Sequence, residues 1–385
     1  MSGRPDVRPV RGMPRPGPGE RIAAAGYPLA RAALFGLRGG DAEAAHEATV
    51  RMVSWLNGPG PLRQLAHGLT GRRGDPVEVA GLRFPGPVGL AAGMDKAALA
   101  VPGWSSLGFS HVELGTVTAK AQSGNDRPRL FRLPTSRAVV NRMGFNNPGV
   151  EAVAARLDGF GIRRGGGQAG LVVGVSIGKS KVTPLAEAVD DYLHSLRTIA
   201  PYADYVAINV SSPNTPGLRS LQDRGHLSEL TRALVAESRR LDPRRPVPIM
   251  VKLAPDLAPD AVAEAVAVCE DAGIAALIAT NTTIGRRGVA VADRVAAAEA
   301  GGLSGAPLRR RAREFVGDLV ARTRLPVIGV GGIMTGADAD AMFEAGARLV
   351  QVYTGLVYGG PALVTAINRR HRSPVSSGER ARSTR

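Results

Sequence analysis

The stretch VPIMVKLAPDLAPDAVAEAVAVCEDAGIAALIATN (residues 247–281) contains one complete unit of the fold. Its first run, 247–253, is apolar almost without a break, as expected of a strand buried on both faces. Pro259 suits a first helical position, Val262, Val266 and Cys269 fall on one stripe, and Gly273 supplies the stop. A second apolar run follows at 276–281. Strand, amphipathic helix and strand in this order predict a parallel sheet covered by helices.

The same rhythm recurs on both sides. Apolar runs at 87–91, 111–117, 170–177, 204–210, 326–331 and 348–354 bring the strands to eight. Helical patterns open at Thr183-Pro184, with Val189, Leu193, Leu196 and Ala200 on one stripe, and at Pro307, with Leu308, Ala312, Phe315 and Leu319. Eight such units predict an α/β fold, a closed (β/α)8 TIM barrel rather than an open sheet. A hairpin over 77–84, turning at Ala80-Gly81, precedes the first unit, and 120–168 must hold inserted loops.

Residues 20–72 read as a small N-terminal helical module ahead of a barrel domain over 73–368. Its first helix is expected to open at Pro28, with Leu29, Ala33, Leu34 and Leu37 on one side. Asp41 is the expected N-cap of a second, carrying Ala45, Thr49, Met52, Val53 and Leu56 and stopped by Asn57-Gly58-Pro59; a third covers 61–69. The module has more apolar surface than it can bury alone, which suits an interfacial anchor.

At 44% apolar and 21% charged residues the chain fills a large core easily, and global disorder is excluded. Aromatics at 4% argue against a protein that stacks single-stranded bases. The formal charge of +16 is concentrated at the ends: residues 1–19 carry a balance of +3 and 369–385 one of +5, both in Pro-, Gly- or Ser-rich segments expected to be disordered basic tails. The single cysteine, Cys269, rules out an internal disulfide and a cysteine-rich metal site, and no metal is expected. No apolar run approaches the ~20 residues of a spanning helix, and no secretory signal is present, so the body of the protein is expected inside the cell.

In such barrels chemistry gathers at the C-terminal ends of the strands. Here Ala92-Gly93-Met94-Asp95-Lys96, Gly115-Thr116, Gly178-Lys179, Asn209, Lys252, Thr280-Asn281-Thr282, Gly331-Gly332 and Tyr353-Thr354-Gly355 all follow or end apolar runs. The glycines at 329–332 and Tyr353-Thr354 end the seventh and eighth runs, where backbone N–H groups commonly bind phosphate, and Gly302 to Gly305 can add another amide. With no dinucleotide or Walker fingerprint, the phosphate points to a mononucleotide-like cofactor. Lys252 would set a cation against a flavin ring, unless it serves an ion pair inside the barrel. Asn141, Asn146, Asn209, Asn214 and Asn281 offer paired donors and acceptors to a planar substrate, and Lys96 a charge for its carboxylate. The loop NVSSPNTPG (209–217) can close over that substrate and exclude water around Ser212.

The strings GNDRPRLFRL (124–133), NRMGFNN (141–147), NVSSPNTPGLRSLQ (209–222), VKLAPD (251–256), ATNTT (279–283), GGLSG (301–305) and IGVGGI (328–333), with Ala92 to Lys96, together resemble the quinone-dependent, class 2 dihydroorotate dehydrogenases over roughly 28–368. The resemblance implies oxidation of dihydroorotate to orotate in pyrimidine biosynthesis, with FMN as first acceptor and a membrane quinone as second. It implies Ser212 as catalytic base and Lys96, Asn141, Arg142, Met143, Gly144, Phe145, Asn209, Asn214, Asn281 and Thr282 at orotate. It implies Ala92, Gly93, Met94, Asp95, Lys96, Thr116, Asn209, Lys252, Thr280, Gly305, Gly332, Tyr353 and Thr354 at FMN. Ser176 stands where the family often has Asn, and its hydroxyl has a shorter reach. Soluble relatives use a cysteine base, but Cys269 lies on a helix stripe as a core residue. The quinone further implies peripheral attachment to the cytoplasmic side of the cell membrane through the N-terminal helices. The alternative readings are a flavin barrel acting on tRNA uridines, or a non-catalytic scaffold binding membrane or RNA.

Overall fold

The structure, a computed structural model, describes residues 16–36, 40–167, 170–211, 221 and 223–372. Thirteen strands occur among them. A short antiparallel hairpin, β1 (Val77–Val79) and β2 (Leu82–Phe84), turns at Ala80 and Gly81 as expected. The strands β3 (Val88–Leu90) and β4 (His111–Val117) come next, followed by the antiparallel pair β5 (Leu130–Leu133) and β6 (Ala138–Asn141). Then come β7 (Val172–Ile177), β8 (Tyr205–Asn209), β9 (Ile249–Leu253), β10 (Ala276–Ala279), β11 (Gly302–Gly305), β12 (Val327–Val330) and β13 (Leu349–Val352).

Eight of these, β3, β4, β7, β8, β9, β10, β12 and β13, pair in parallel and close a barrel in chain order. They are the eight apolar runs of the sequence. Their residues are buried on both faces, against the surrounding helices outside and against one another within, so continuous Val, Ile and Leu are favoured. The helix Pro259–Ala272 begins at its proline and ends on Gly273, as its pattern predicts. The hairpin plugs the N-terminal mouth, where the Phe84 ring meets His111 edge-on at 5.1 Å.

The inserted segment is more ordered than a run of loops. β5, β6 and β11 form a separate antiparallel sheet, with Gly302 opposite Asn141 and Gly305 opposite Ala138. The glycine-flanked segment expected to lend one amide is therefore a strand in that sheet. Short alternating strands that find their partner 160 residues away carry no strong local signature.

The N-terminal module has three helices, α1 (Pro18–Gly36), α2 (Ala42–Ser54) and α3 (Pro61–Thr70). Asp41 caps α2, accepting from the Glu43 and Ala44 amides. The first helix departs from expectation: it starts ten residues before Pro28, which lies inside it. Proline removes a single amide donor, and α1 is held from the side by Tyr27 Oη donating to Val357 O at 2.8 Å and Arg31 donating to Tyr358 O at 3.0 Å. Its packed face consists of Tyr27, Arg31, Leu34 and Phe35, whereas Leu29 and Ala33, placed on one side with Leu34 by their spacing, are exposed, Leu29 by 76%, and Leu37 lies outside the described residues. At the far end the last helix runs to Arg370, whose guanidinium pairs with Asp340, so order extends past the expected boundary at 368. Residues 1–15 and 373–385 of the expected tails lie outside the described residues. No described helix is long and apolar enough to cross a membrane.

Candidate active site

At the C-terminal mouth of the barrel the strand ends surround a cavity of about 1070 Å³. Ala92, Gly93 and Lys96 enter it from beyond β3, Thr116 from β4, Asn209 from β8 and Lys252 from β9. Thr280, Asn281 and Thr282 follow β10, Gly332 follows β12, and Tyr353 and Thr354 follow β13. The added sheet roofs this mouth, contributing Asn141 and Gly305, with Met143, Gly144 and Phe145 beside them.

Five expected residues among those described do not line this cavity. Asp95 is buried and caps its own loop, accepting from the Leu99 and Ala100 amides and the Trp104 indole at 2.8, 2.9 and 3.1 Å. Burial raises its pKa and those three donors only partly offset the rise. Met94 packs in the core. Arg142 turns out to Glu299 and stacks over Phe131. Ser176 reaches the site at one remove, its hydroxyl 3.0 Å from that of Thr116. Ser212 and Asn214 lie outside the described residues, and Asn146 borders a neighbouring cavity instead.

Polar side chains at the mouth are linked. Asn209 donates to Thr116 Oγ1 at 2.9 Å, and Asn281 donates to Ser211 Oγ at 2.9 Å and to Asn209 Oδ1 at 3.3 Å. Both amides are thereby held in one orientation, ready to present their remaining hydrogen-bonding capacity to a flat polar ring. Burial pulls the Lys96 ammonium down to about 8, with Arg129 adding to the fall and Glu43, Glu47 and Asp95 opposing it, so it remains mainly charged at neutral pH. On the opposite wall Gly331 and Gly332 follow β12 with φ of +113° and +71°. A Cβ on Gly332 would lie 2.1 Å from Arg309 Cα, so only glycine fits that turn, whose positive-φ conformation is of the kind that can form an anion cradle. Lys252 extends from β9 and also meets Glu113 at 3.2 Å; the cavity position and the ion pair coexist.

Leu130, Val139 and Ser304 come to the cavity through the added sheet, which was not legible in the sequence. Gln351 was overlooked although it lies inside an apolar strand; a lone polar residue in such a run was the available signal. Its Oε1 is buried and accepts no hydrogen bond from the described residues. Cys269 is fully buried and its thiol is pushed up to about 12 by burial, far from the mouth chemistry.

A second cavity, of about 1260 Å³, opens between α2 and the barrel and shares Lys96 and Met143 with the first. Glu43 of α2 and Arg129 form a nearly buried ion pair on its wall at 2.7 Å, their side chains 4% and 6% exposed. His46 stacks parallel to Tyr353 at 6.3 Å, and burial, with Lys96 nearby, pushes its imidazole down to about 3, so the ring is neutral.

Comparison with known proteins gives one answer. The family model described as dihydroorotate dehydrogenase matches residues 76–373. A protein of Salinispora arenicola named dihydroorotate dehydrogenase (quinone) is 56% identical over 351 residues, covering 90% of this chain and 98% of its own. One of the same name from Chloroflexus aurantiacus is 53% identical over 347 residues, covering 88% and 94%. Among solved structures, DHODH from Eimeria tenella in complex with ferulenol superposes with a TM-score of 0.77 at 36% identity, covering 86% of this chain and 90% of that one. With its barrel, its glycine cradle and its amide-lined mouth, the chain belongs to the dihydroorotate dehydrogenase family.

Proposed function

We propose that this chain oxidises dihydroorotate to orotate in pyrimidine biosynthesis, with FMN in the barrel cavity and a membrane quinone as final acceptor. The observation that carries this reading is the convergence of Lys96, Asn209, Lys252, Asn281 and the Gly332 turn on one cavity of about 1070 Å³. FMN fits the residues present. The positive-φ turn at Gly331-Gly332 and the mouth of β13 would hold its phosphate, and Lys252 and the bare Gln351 oxygen would meet its ring. When bound, FMN supplies the acceptor for the hydride that leaves carbon 6 of the substrate.

The protein's own part is orientation and proton handling. Lys96 meets the substrate carboxylate, and Asn141, Asn209 and Asn281 hold the ring by its N–H and C=O groups. Ser212, in the sequence loop expected after β8, removes the proton from carbon 5 as the double bond forms and passes a proton onward to solvent, and Asn214 of the same stretch binds the ring. Asn209, tied to Thr116 and through it to Ser176, fixes the base of that loop.

The N-terminal module, taken as residues 20–72, attaches the enzyme peripherally to the cytoplasmic face of a membrane. Ile22, Leu29, Trp55, Leu62 and Leu65 are 65, 76, 66, 59 and 59% exposed, a cost in water that an acyl interface removes. Quinone then reaches the barrel between the module and the mouth, past His46 and Tyr353.

The test is anaerobic mixing of the purified protein with dihydroorotate. The yellow flavin band should bleach, and of quinone, fumarate and NAD added separately, quinone should restore it. A colourless preparation that takes up no FMN would end this reading.

A further inference from the structure

Glu113 points into the barrel from β4 and is fully buried. Three donors converge on its carboxylate from three other strands: Lys252 Nζ at 3.2 Å, Gln351 Nε2 at 2.9 Å and Tyr205 Oη at 3.3 Å. Room for the tyrosine is built into the neighbouring strand, since a Cβ on Gly174 would lie 2.0 Å from Tyr205 Cζ. Lys252 and Gln351 line the barrel-mouth cavity, whereas Glu113 and Tyr205 do not reach its wall. Gln351 donates to the Glu113 carboxylate through the NH₂ end of its amide. Its carbonyl oxygen is thereby turned away, buried and without a partner among the described residues.

We propose that Glu113 is a positioning residue of the flavin cavity, fixing the Lys252 ammonium and the Gln351 oxygen as a cation and an acceptor on the cavity wall, where they would meet the flavin ring. This rests on the reading of the cavity as an FMN site. A flavin ring carries an N–H donor flanked by carbonyl oxygens and gains negative charge on reduction; a fixed acceptor beside a fixed cation matches both features. Packing alone does not require a bare, buried acceptor, which is costly unless something donates to it.

The experiment compares holoenzymes of wild type, Glu113→Gln, Glu113→Asp, Lys252→Met and the Glu113→Gln/Lys252→Met double variant. The readouts are the midpoint potential of the bound flavin and the release of FMN on dilution, followed by its fluorescence. Glu113→Gln lets the Gln351 amide flip and Lys252 wander, so FMN should bind about tenfold more weakly and the potential should become more negative. Loss of a nearby negative charge alone would move the potential the opposite way, so the sign separates positioning from through-space charge. In the Lys252→Met background the Glu113 substitution should add less than about twofold, because the two act as one unit.

An unchanged or more positive potential in Glu113→Gln, or effects that simply multiply in the double variant, would overturn the proposal. If Glu113→Gln does not fold, Glu113→Asp carries the test: the charge stays and the reach shortens, so positioning still lowers the potential and a bare charge effect leaves it unchanged. A wild type that takes up no FMN overturns the cavity reading and this proposal together; a yellow wild type that bleaches with dihydroorotate confines any failure to Glu113.

Discussion

The barrel and the N-terminal module use similar apolar residues in opposite ways. Val112, Leu114, Val206, Ile208, Val251 and Leu253 are wholly buried and hold the polar strand ends within reach of one another. In the module the large apolar side chains divide: Val50 and Val53 of α2 join the barrel core, while Leu29 of α1, Trp55 just after α2, and Leu62 and Leu65 of α3 face outward. A side chain buried in the fold contributes roughly 1.5–3 kcal/mol there, and one left outside keeps that free energy for a partner. The barrel strands thus bury their large apolar side chains, whereas the module leaves several of its own exposed. The difference teaches where chemistry and attachment are divided.

The sharpest way to break this division is to stop the chemistry without touching the module. Ser212→Ala should keep FMN bound and slow its reduction by dihydroorotate on the order of 10²-fold or more in stopped-flow absorbance. Unaltered reduction would take Ser212 out of the mechanism.

The seam between the two regions comes next. Glu43→Gln leaves one acceptor for Arg129 but removes the charge from a nearly buried pair, and should cost about 2 kcal/mol in denaturant unfolding. Its pH dependence has a definite sign. Burial alone would raise the Glu43 carboxyl, but the hydrogen bond and charge of Arg129, with Arg127 and Lys96, more than offset this and hold it below the ordinary 4.5. The pair's stabilisation is then fully present above about 4.5 and disappears as pH falls through the lowered value. Wild type should lose stability over that acid limb and Glu43→Gln should lose less. Parallel curves would mean that the pair does not hold the seam.

The smallest effect is expected for attachment. Leu29→Glu, Leu62→Glu and Leu65→Glu together change only exposed positions. They should leave bleaching by dihydroorotate intact and slow reoxidation by quinone in vesicles about tenfold, with weaker flotation on those vesicles. Equal flotation of the triple variant would remove the outward face as an anchor.

The residues show where sequence reading ran out. All eight barrel strands and the helix 259–272 were legible because each is a local pattern: a strand buried on two faces must be apolar throughout, and a covering helix must repeat every three to four residues. The strand-end positions of Lys96, Asn209, Lys252 and Asn281 followed from the same pattern. Pro28 misled because helix-start chemistry is also local, and packing of Tyr27 and Arg31 against the barrel overrides it. The sheet of β5, β6 and β11 escaped because its strands are short and one partner lies far along the chain.

By itself, then, the order of residues determined the barrel, the rim on which its polar groups sit and the family resemblance, since all three reside in periodicity and short motifs. Tertiary structure alone decided that Glu113 meets Gln351 across 238 positions, that Glu43 of α2 locks onto Arg129, and that Leu29, Leu62 and Leu65 of the module are exposed. Such contacts depend on how strands register around a closed cylinder and how a helix rotates on its surface, and neither is written in any local stretch.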